Sequence, residues 1–199
     1  MALLVPAAVF LKSAASAADF PPDAGREVAF VGRSNSGKST AVNAVTGARK
    51  LARVSKTPGR TQLVNFFSLD EGRRLVDLPG YGFARVAPDV QARWRRALET
   101  YLAERVSLVG LVLTMDIRRG LTSLDDRLLR WLRSRRELPV AVLLTKADKL
   151  GRGAALERQR ELEQELGADI ELVRFSAVSG EGVREAKALI DRWLSGAQQ

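Results

Sequence analysis

The sequence predicts an α/β fold: a six-stranded, mostly parallel sheet with one antiparallel edge strand and helices on both faces. Three observations predict it. Apolar runs at residues 28–31, 108–115 and 140–144 read as strands, the longer two buried on both sides. Between and after them apolar residues recur at helical spacing: Val90, Trp94, Leu98 and Tyr101; Leu124, Leu128, Trp131 and Leu132; Val183, Ala186, Ile190 and Trp193. Finally, the first apolar run feeds directly into Gly32-Arg33-Ser34-Asn35-Ser36-Gly37-Lys38-Ser39, which fits G-x-x-x-x-G-K-[ST], and residues 40–45 read as a helix behind it.

That loop asks for its residue types physically. Two glycines let the backbone close around phosphate oxygens in conformations a Cβ resists. A ring of N–H groups and the positive end of the following helix then face the anion. Lys38 would reach the β- and γ-phosphates, and the Ser39 hydroxyl would take a place on Mg²⁺.

Composition narrows the chemistry. The 199 residues contain no cysteine and no histidine, which excludes disulfides, thiolate metal sites and histidine-based acid–base or metal chemistry. Any metal is therefore a hard, oxygen-bound cation. The net charge is +9, and its distribution is uneven. Residues 1–84 carry eleven basic and six acidic side chains, residues 85–136 twelve and six, and residues 137–199 nine and eleven. A basic excess confined to the first two thirds points to a polyanionic partner, RNA first.

Along the chain, residues 2–11 followed by Ser13-Ala14-Ala15-Ser16-Ala17 imitate a signal peptide. No basic residue precedes the run, Pro6 interrupts it, and it is too short to span a bilayer. Residues 1–24 are expected to form an arm packed on or preceding a single domain over residues 25–196. Residues 47–62 hold five basic side chains and a Pro-Gly turn without periodicity, and read as an exposed loop. Residues 63–69 and 74–78 read as a hairpin around Asp70-Glu71-Gly72. The second strand ends in Asp77-Leu78-Pro79-Gly80, where Asp77 would hold the metal and the Gly80 N–H would donate to the γ-phosphate. The helix around Leu128 would expose Arg127, Arg130, Arg133, Arg135 and Arg136, either as a solvated face or as an RNA-facing stripe.

The strand at 140–144 ends in Thr145-Lys146-Ala147-Asp148. Asp148 can accept two hydrogen bonds from the N1–H and N2–H₂ edge of guanine, whereas adenine would leave the carboxylate unpaired, a penalty of several kcal/mol. Lys146 would lay its stem over the base. Residues 170–175 read as the last strand, with Ser176-Ala177 in the loop after it.

Taken together, GRSNSGKS, Thr61, DLPG, TKAD and SA resemble the five motifs of a Ras-like P-loop GTPase domain. The longer strings GREVAFVGRSNSGKST, TPGRTQ, DLPGYGFA, Asp116-Ile117-Arg118 and TKADK resemble the EngB/YihA family of bacterial GTPases, over roughly residues 10–195. The resemblance implies a slow Mg²⁺-dependent GTPase that switches between GTP and GDP in large ribosomal subunit assembly, with a family link to septation. It implies nucleotide contacts at Gly32, Arg33, Ser34, Asn35, Ser36, Gly37, Lys38, Ser39 and Thr40, at Gly59, Arg60, Thr61, Gln62 and Leu63, and at Asp77, Leu78, Pro79 and Gly80. At the base it implies Thr145, Lys146, Ala147, Asp148, Phe175, Ser176 and Ala177. Ser39, Thr61 and Asp77 would serve Mg²⁺, and Lys38, Thr61 and Gly80 would serve the chemistry.

Three positions depart from the general GTPase pattern. Thr145 stands where Asn is usual, Val178 where Lys is common, and Tyr81 where a water-orienting Gln is found. Asn35 stands where potassium-using relatives carry an Asn that holds K⁺. The implied partner is ribosomal RNA in the large subunit or its precursor rather than DNA, for a cytoplasmic monomer with no stable membrane insertion. A GTP-sensing scaffold at the division site is the rival reading, and an ATPase or small-molecule kinase is disfavoured mainly by Asp148.

Overall fold

The computed structural model describes residues 7–48, 51–52, 63–81, 88–135 and 138–196, with the backbone alone at residues 88–95 and at Arg135. Among the described residues seven strands form one sheet: β1 (Val9–Ala14), β2 (Arg26–Gly32), β3 (Val64–Asp70), β4 (Arg73–Asp77), β5 (Leu108–Asp116), β6 (Val140–Thr145) and β7 (Glu171–Arg174). Five α-helices accompany them among the described residues: α1 (Lys38–Thr46), α2 (Pro88–Glu104), α3 (Ser123–Arg135), α4 (Arg152–Leu166) and α5 (Val183–Ser195).

The strand order is β1-β3-β4-β2-β5-β6-β7. β2 pairs in parallel with β4 and β5, β5 with β6, and β6 with β7, while β3 is antiparallel to both β4 and β1. β3 alone therefore runs against the others, one strand in from the edge.

The expected six strands become seven because residues 9–14 pair with β3. Burial does not drive that pairing: Val9, Phe10 and Leu11 are 65%, 53% and 46% exposed. What ties the strand down is its backbone ladder, a Ser13–Asn65 side-chain hydrogen bond of 2.6 Å and the edge-to-face contact of Phe10 with Phe67. A strand whose bulky apolar residues stay exposed and whose only buried side chain is Ala14 leaves little alternation for the sequence to display.

Both faces of the central strands are covered, so both parities are apolar. Ala29 and Val31 of β2 join Leu111, Leu113, Val142 and Leu144 under the side built by α2, α3 and α4. Val28 and Phe30 join Val112 and Leu143 on the other side, under Val42 and Val45 of α1 and Leu189 and Ile190 of α5. Leu98 and Tyr101 of α2 are buried as their spacing predicts, whereas Val90, Arg93, Trp94 and Arg95 lie outside the described side chains.

A charged cluster enters this core at the start of β2. Glu27 is fully buried at the start of β2, and its carboxylate accepts hydrogen bonds from Arg74 (2.6 Å), Arg105 (2.8 and 3.0 Å) and the Tyr101 hydroxyl (2.9 Å). Arg105 also donates to the Pro21 carbonyl, which ties the turn before β2 to the end of α2. Among the described residues no helix is long and apolar enough to cross a membrane.

Candidate functional site

The parallel strands deliver their carboxyl ends to one edge of the sheet, where open α/β sheets bind ligands. Gly32 ends β2, Asp77 ends β4, Asp116 ends β5 and Thr145 ends β6, on neighbouring strands: Asp77 pairs with Phe30, Gly32 with Thr114 and Asp116 with Thr145.

The loop after β2 is shaped by two left-handed residues, Asn35 (φ 63°) and Gly37 (φ 91°), while the Ser36 N–H donates back to the Arg33 carbonyl at 3.0 Å and closes the turn. Gly32 is needed for space: a Cβ there would come within 2.2 Å of the Thr114 hydroxyl and 2.6 Å of the Ser36 hydroxyl. Those two hydroxyls are themselves 2.7 Å apart and buried, which fastens the loop to β5. The Thr145 hydroxyl lies between the carbonyls of Ser36 and Met115 and so ties the loop to β6. Thr145 thus supplies a side-chain anchor for the loop although it departs from the usual Asn. The nine-residue helix α1 starts at Lys38 and points its positive end into the loop.

At the centre, Lys38 and Asp77 form an ion pair with side chains only 8% and 2% exposed. Their meeting follows from the pairing of β2 with β4, which sets Asp77 beside Phe30, and from α1 folding back from the same strand. Ser39, half-buried, follows Lys38 at the start of α1. Among the described residues no group of three or more carboxylates could hold a metal. A cation here would meet one carboxylate and one hydroxyl, with phosphate oxygens and water completing its shell. That donor set fits Mg²⁺, which keeps several waters and is bound by one or two carboxylates plus phosphate. Leu78, Pro79 and Gly80 are buried beside the loop, and Leu63 is exposed just before β3. Gly59, Arg60, Thr61 and Gln62 lie outside the described residues.

The other corner is built at the ends of β6 and β7. Lys146 is left-handed (φ 61°), and its ammonium donates to the Asn35 carbonyl (2.7 Å) and to the Asp116 carboxylate (2.9 Å). It therefore spans the two corners. Asp148, on a short 3-10 turn at Ala147–Lys149, accepts the Ser176 hydroxyl at 2.7 Å and pairs with Lys149 at 3.1 Å. These bonds hold its carboxyl below the ordinary carboxylate range, with the Ser176 hydroxyl the largest cause. The Ala147 N–H donates to the Phe175 carbonyl, and Ser176 accepts the N–H groups of Val178 and Ser179, so the last loop is folded around the same point. A carboxylate oriented this way keeps acceptor capacity for a pair of parallel N–H donors.

Two features were not singled out as site residues in the sequence, Asp116 and the contact of Tyr81 with Asp125. Burial alone would raise the Asp116 carboxyl, yet hydrogen bonds from Arg118 and Lys146 outweigh it and hold the group well below the usual range. Its signal was its position, a carboxylate closing a buried strand next to the one that Asp77 closes. Tyr81 donates to Asp125 of α3, a contact that T-x-x-D at residues 122–125 foreshadows only as a helix cap. The arginine stripe of α3, expected from the sequence as a solvated or RNA-facing surface, is partly engaged within the protein. Arg130 pairs with Asp126 and Arg133 with Asp169, while Arg136 and the Arg135 side chain lie outside the described residues.

The family model for a 50S ribosome-binding GTPase matches residues 27–146. The protein named "Probable GTP-binding protein EngB" of Nitrosococcus oceani is 51% identical over 185 residues, 92% of each chain. Its namesake in Enterobacter sp. (strain 638) is 48% identical over 192 residues, 95% of this chain and 92% of its own. A crystal structure of a probable GTP-binding protein engB has a TM-score of 0.68 at 24% identity, covering 85% of this chain and 99% of that one, a likeness of fold.

Proposed function

Because the chain belongs to the EngB family of GTP-binding P-loop GTPases, we propose that it is a slow, Mg²⁺-dependent switch that engages precursors of the large ribosomal subunit when loaded with GTP. The observation that carries the guanine reading is the Asp148 corner. Its carboxylate is oriented by Ser176 and Lys149, and the adjacent Lys146 reaches across to the phosphate loop. Guanine offers two donors to that carboxylate and adenine does not.

In this reading the backbone from Gly32 to Thr40 cradles the phosphates and Lys38 neutralises the β- and γ-oxygens. Ser39, Thr61 and Asp77 would hold Mg²⁺, which when bound supplies charge where it develops in phosphoryl transfer. The Gly80 N–H reads the γ-phosphate, and the loops around Thr61 and beyond Gly80 change with it. Asn35 is exposed, and no hydrogen bond of its side chain is formed among the described residues, which leaves its oxygen open to a K⁺ ion beside the phosphates. With Tyr81 in the place of a water-orienting Gln, turnover is slow without such help.

The ribosomal partner rests on the family's description as 50S ribosome-binding and on the basic excess of the first two thirds of the chain. Gradient sedimentation with ribosomal particles tests it. Co-migration with large-subunit particles in a GTP analogue, lost in GDP, supports the proposal. Migration apart from particles in every nucleotide state, with recruitment to the septum in cells, would favour the division-site scaffold instead.

A further inference from the structure

Tyr81 is held from three directions. Its N–H donates to the Gly32 carbonyl at 3.2 Å, and its own carbonyl accepts the Ser34 N–H at 3.1 Å, so its backbone bridges to both sides of Arg33 in the phosphate loop. Its side chain is 9% exposed, and the phenol donates to one oxygen of Asp125. Asp125 is 2% exposed and divides its carboxylate between two tasks. One oxygen takes Tyr81; the other takes the N–H (2.9 Å) and hydroxyl (2.6 Å) of Thr122 and caps α3.

From this geometry we infer that Tyr81 and Asp125 are positioning residues for the γ-phosphate sensor: their clasp fixes the direction in which the Gly80 N–H points. The inference rests on the GTP reading above. Gly80 sits between Pro79, whose ring fixes its own φ, and Tyr81, whose backbone and side chain are both tied down. Little freedom remains for the peptide between them. Burial and the neighbouring Asp125 charge both push the phenol's proton affinity up. Tyr81 therefore stays a hydrogen-bond donor and does not act as a base on water. A loop held at its phosphate-loop side by backbone and at its α3 side by one buried bond also passes its displacement to α3. That bond must break whenever the loop moves away from the helix.

The capping role gives a structural alternative, and the two roles separate by mutation. Tyr81→Phe keeps the ring and removes only the hydroxyl, while Thr122→Ala removes the cap and leaves Tyr81 paired. The measurement is the affinity for GDP and for a non-hydrolysable GTP analogue with Mg²⁺, together with the melting temperature. Tyr81→Phe should leave GDP affinity unchanged and lower analogue affinity about fivefold, the worth of one buried hydrogen bond. Thr122→Ala should lower the melting temperature and leave the analogue-to-GDP ratio as in the parent. Tyr81→Phe combined with Asp125→Ala should shift that ratio no further than the larger single change. A parental ratio in Tyr81→Phe, or additive shifts in the double variant, overturns the inference. A parent chain that does not distinguish the analogue from GDP overturns the GTP-switch reading beneath it.

Discussion

At the base corner Asp148 is oriented by a serine hydroxyl and a flanking lysine, and it keeps acceptor capacity. At the phosphate corner the two charged groups, Lys38 and Asp77, are oriented by each other and nearly excluded from water. The first arrangement is ready-made: a ligand's donors can dock without displacing a charge. In the proposed function the second is an exchange, since Lys38 would give up part of Asp77 to phosphate and Asp77 part of Lys38 to a cation. Buried ion pairs add little net stability but are costly to break from one side only. In the proposed function the base corner would set which nucleotide binds, and the phosphate corner would make the loop respond to how many phosphates it carries.

The largest expected effect comes from removing one side of the exchange. Lys38→Ala strips Asp77 of its buried cation and should cost about 3–5 kcal/mol of stability, read by urea unfolding. It should also weaken GTP binding on the order of 100-fold through the lost charge-assisted bonds to phosphate, read by nucleotide titration. An unchanged unfolding midpoint would show that the two side chains do not depend on each other.

Next in size is the K⁺ proposed at Asn35, which bears on the phosphate corner alone. GTP turnover should run several-fold faster in KCl than in NaCl at equal ionic strength, most visibly with large-subunit particles present. Asn35→Ala should erase the difference and leave GDP binding nearly intact. Equal rates in both salts would confine Asn35 to shaping the loop.

The strut between the corners predicts a pH effect. The Asp116 carboxyl titrates lower in the folded chain than in the unfolded one because Arg118 and Lys146 bond to its charged form. Below the ordinary carboxylate value of about 4, the unfolded chain binds a proton that the folded chain refuses. Stability contributed by this group is therefore present above that pH and lost as pH falls through the folded value. Asp116→Asn should flatten the acid limb of thermal stability against pH, whereas an unaltered limb would assign the acid sensitivity to other carboxylates.

The smallest effect belongs to the outer face of α3. Because Arg130 and Arg133 already have acidic partners, reversing them to Glu should weaken particle binding modestly at low salt and leave GTP affinity alone. A salt slope identical to the parent's would place the RNA contact elsewhere on the basic two thirds.

These contrasts also explain what the sequence could and could not display. The phosphate loop, Asp77-Leu78-Pro79-Gly80 and the Thr145–Asp148 stretch were legible because each is a contiguous string with a fixed chemical task. The buried strands were legible because they are covered on both faces. β1 was not, since Val9, Phe10 and Leu11 stay exposed and its partner strand lies fifty or more residues along the chain. Glu27 looks like a surface residue at a strand start until Arg74, Tyr101 and Arg105 converge on it. Helical spacing showed that Arg133 faces outward but not that Asp169 waits across from it. In each case a contact between distant segments decided the role, and spacing along the chain carries no record of such contacts.

The division of labour between the corners meets its most direct test in Asp148→Asn, titrated with GTP, GDP, XTP and XDP. The amide cannot accept both guanine donors, whereas xanthine offers it a carbonyl to bind. GTP and GDP affinity should fall together by at least about tenfold, xanthine nucleotides should gain, and the triphosphate-to-diphosphate ratio should match the parent's. Unchanged GTP affinity would contradict the assignment of the base corner, and a changed ratio would contradict its independence from the phosphate corner.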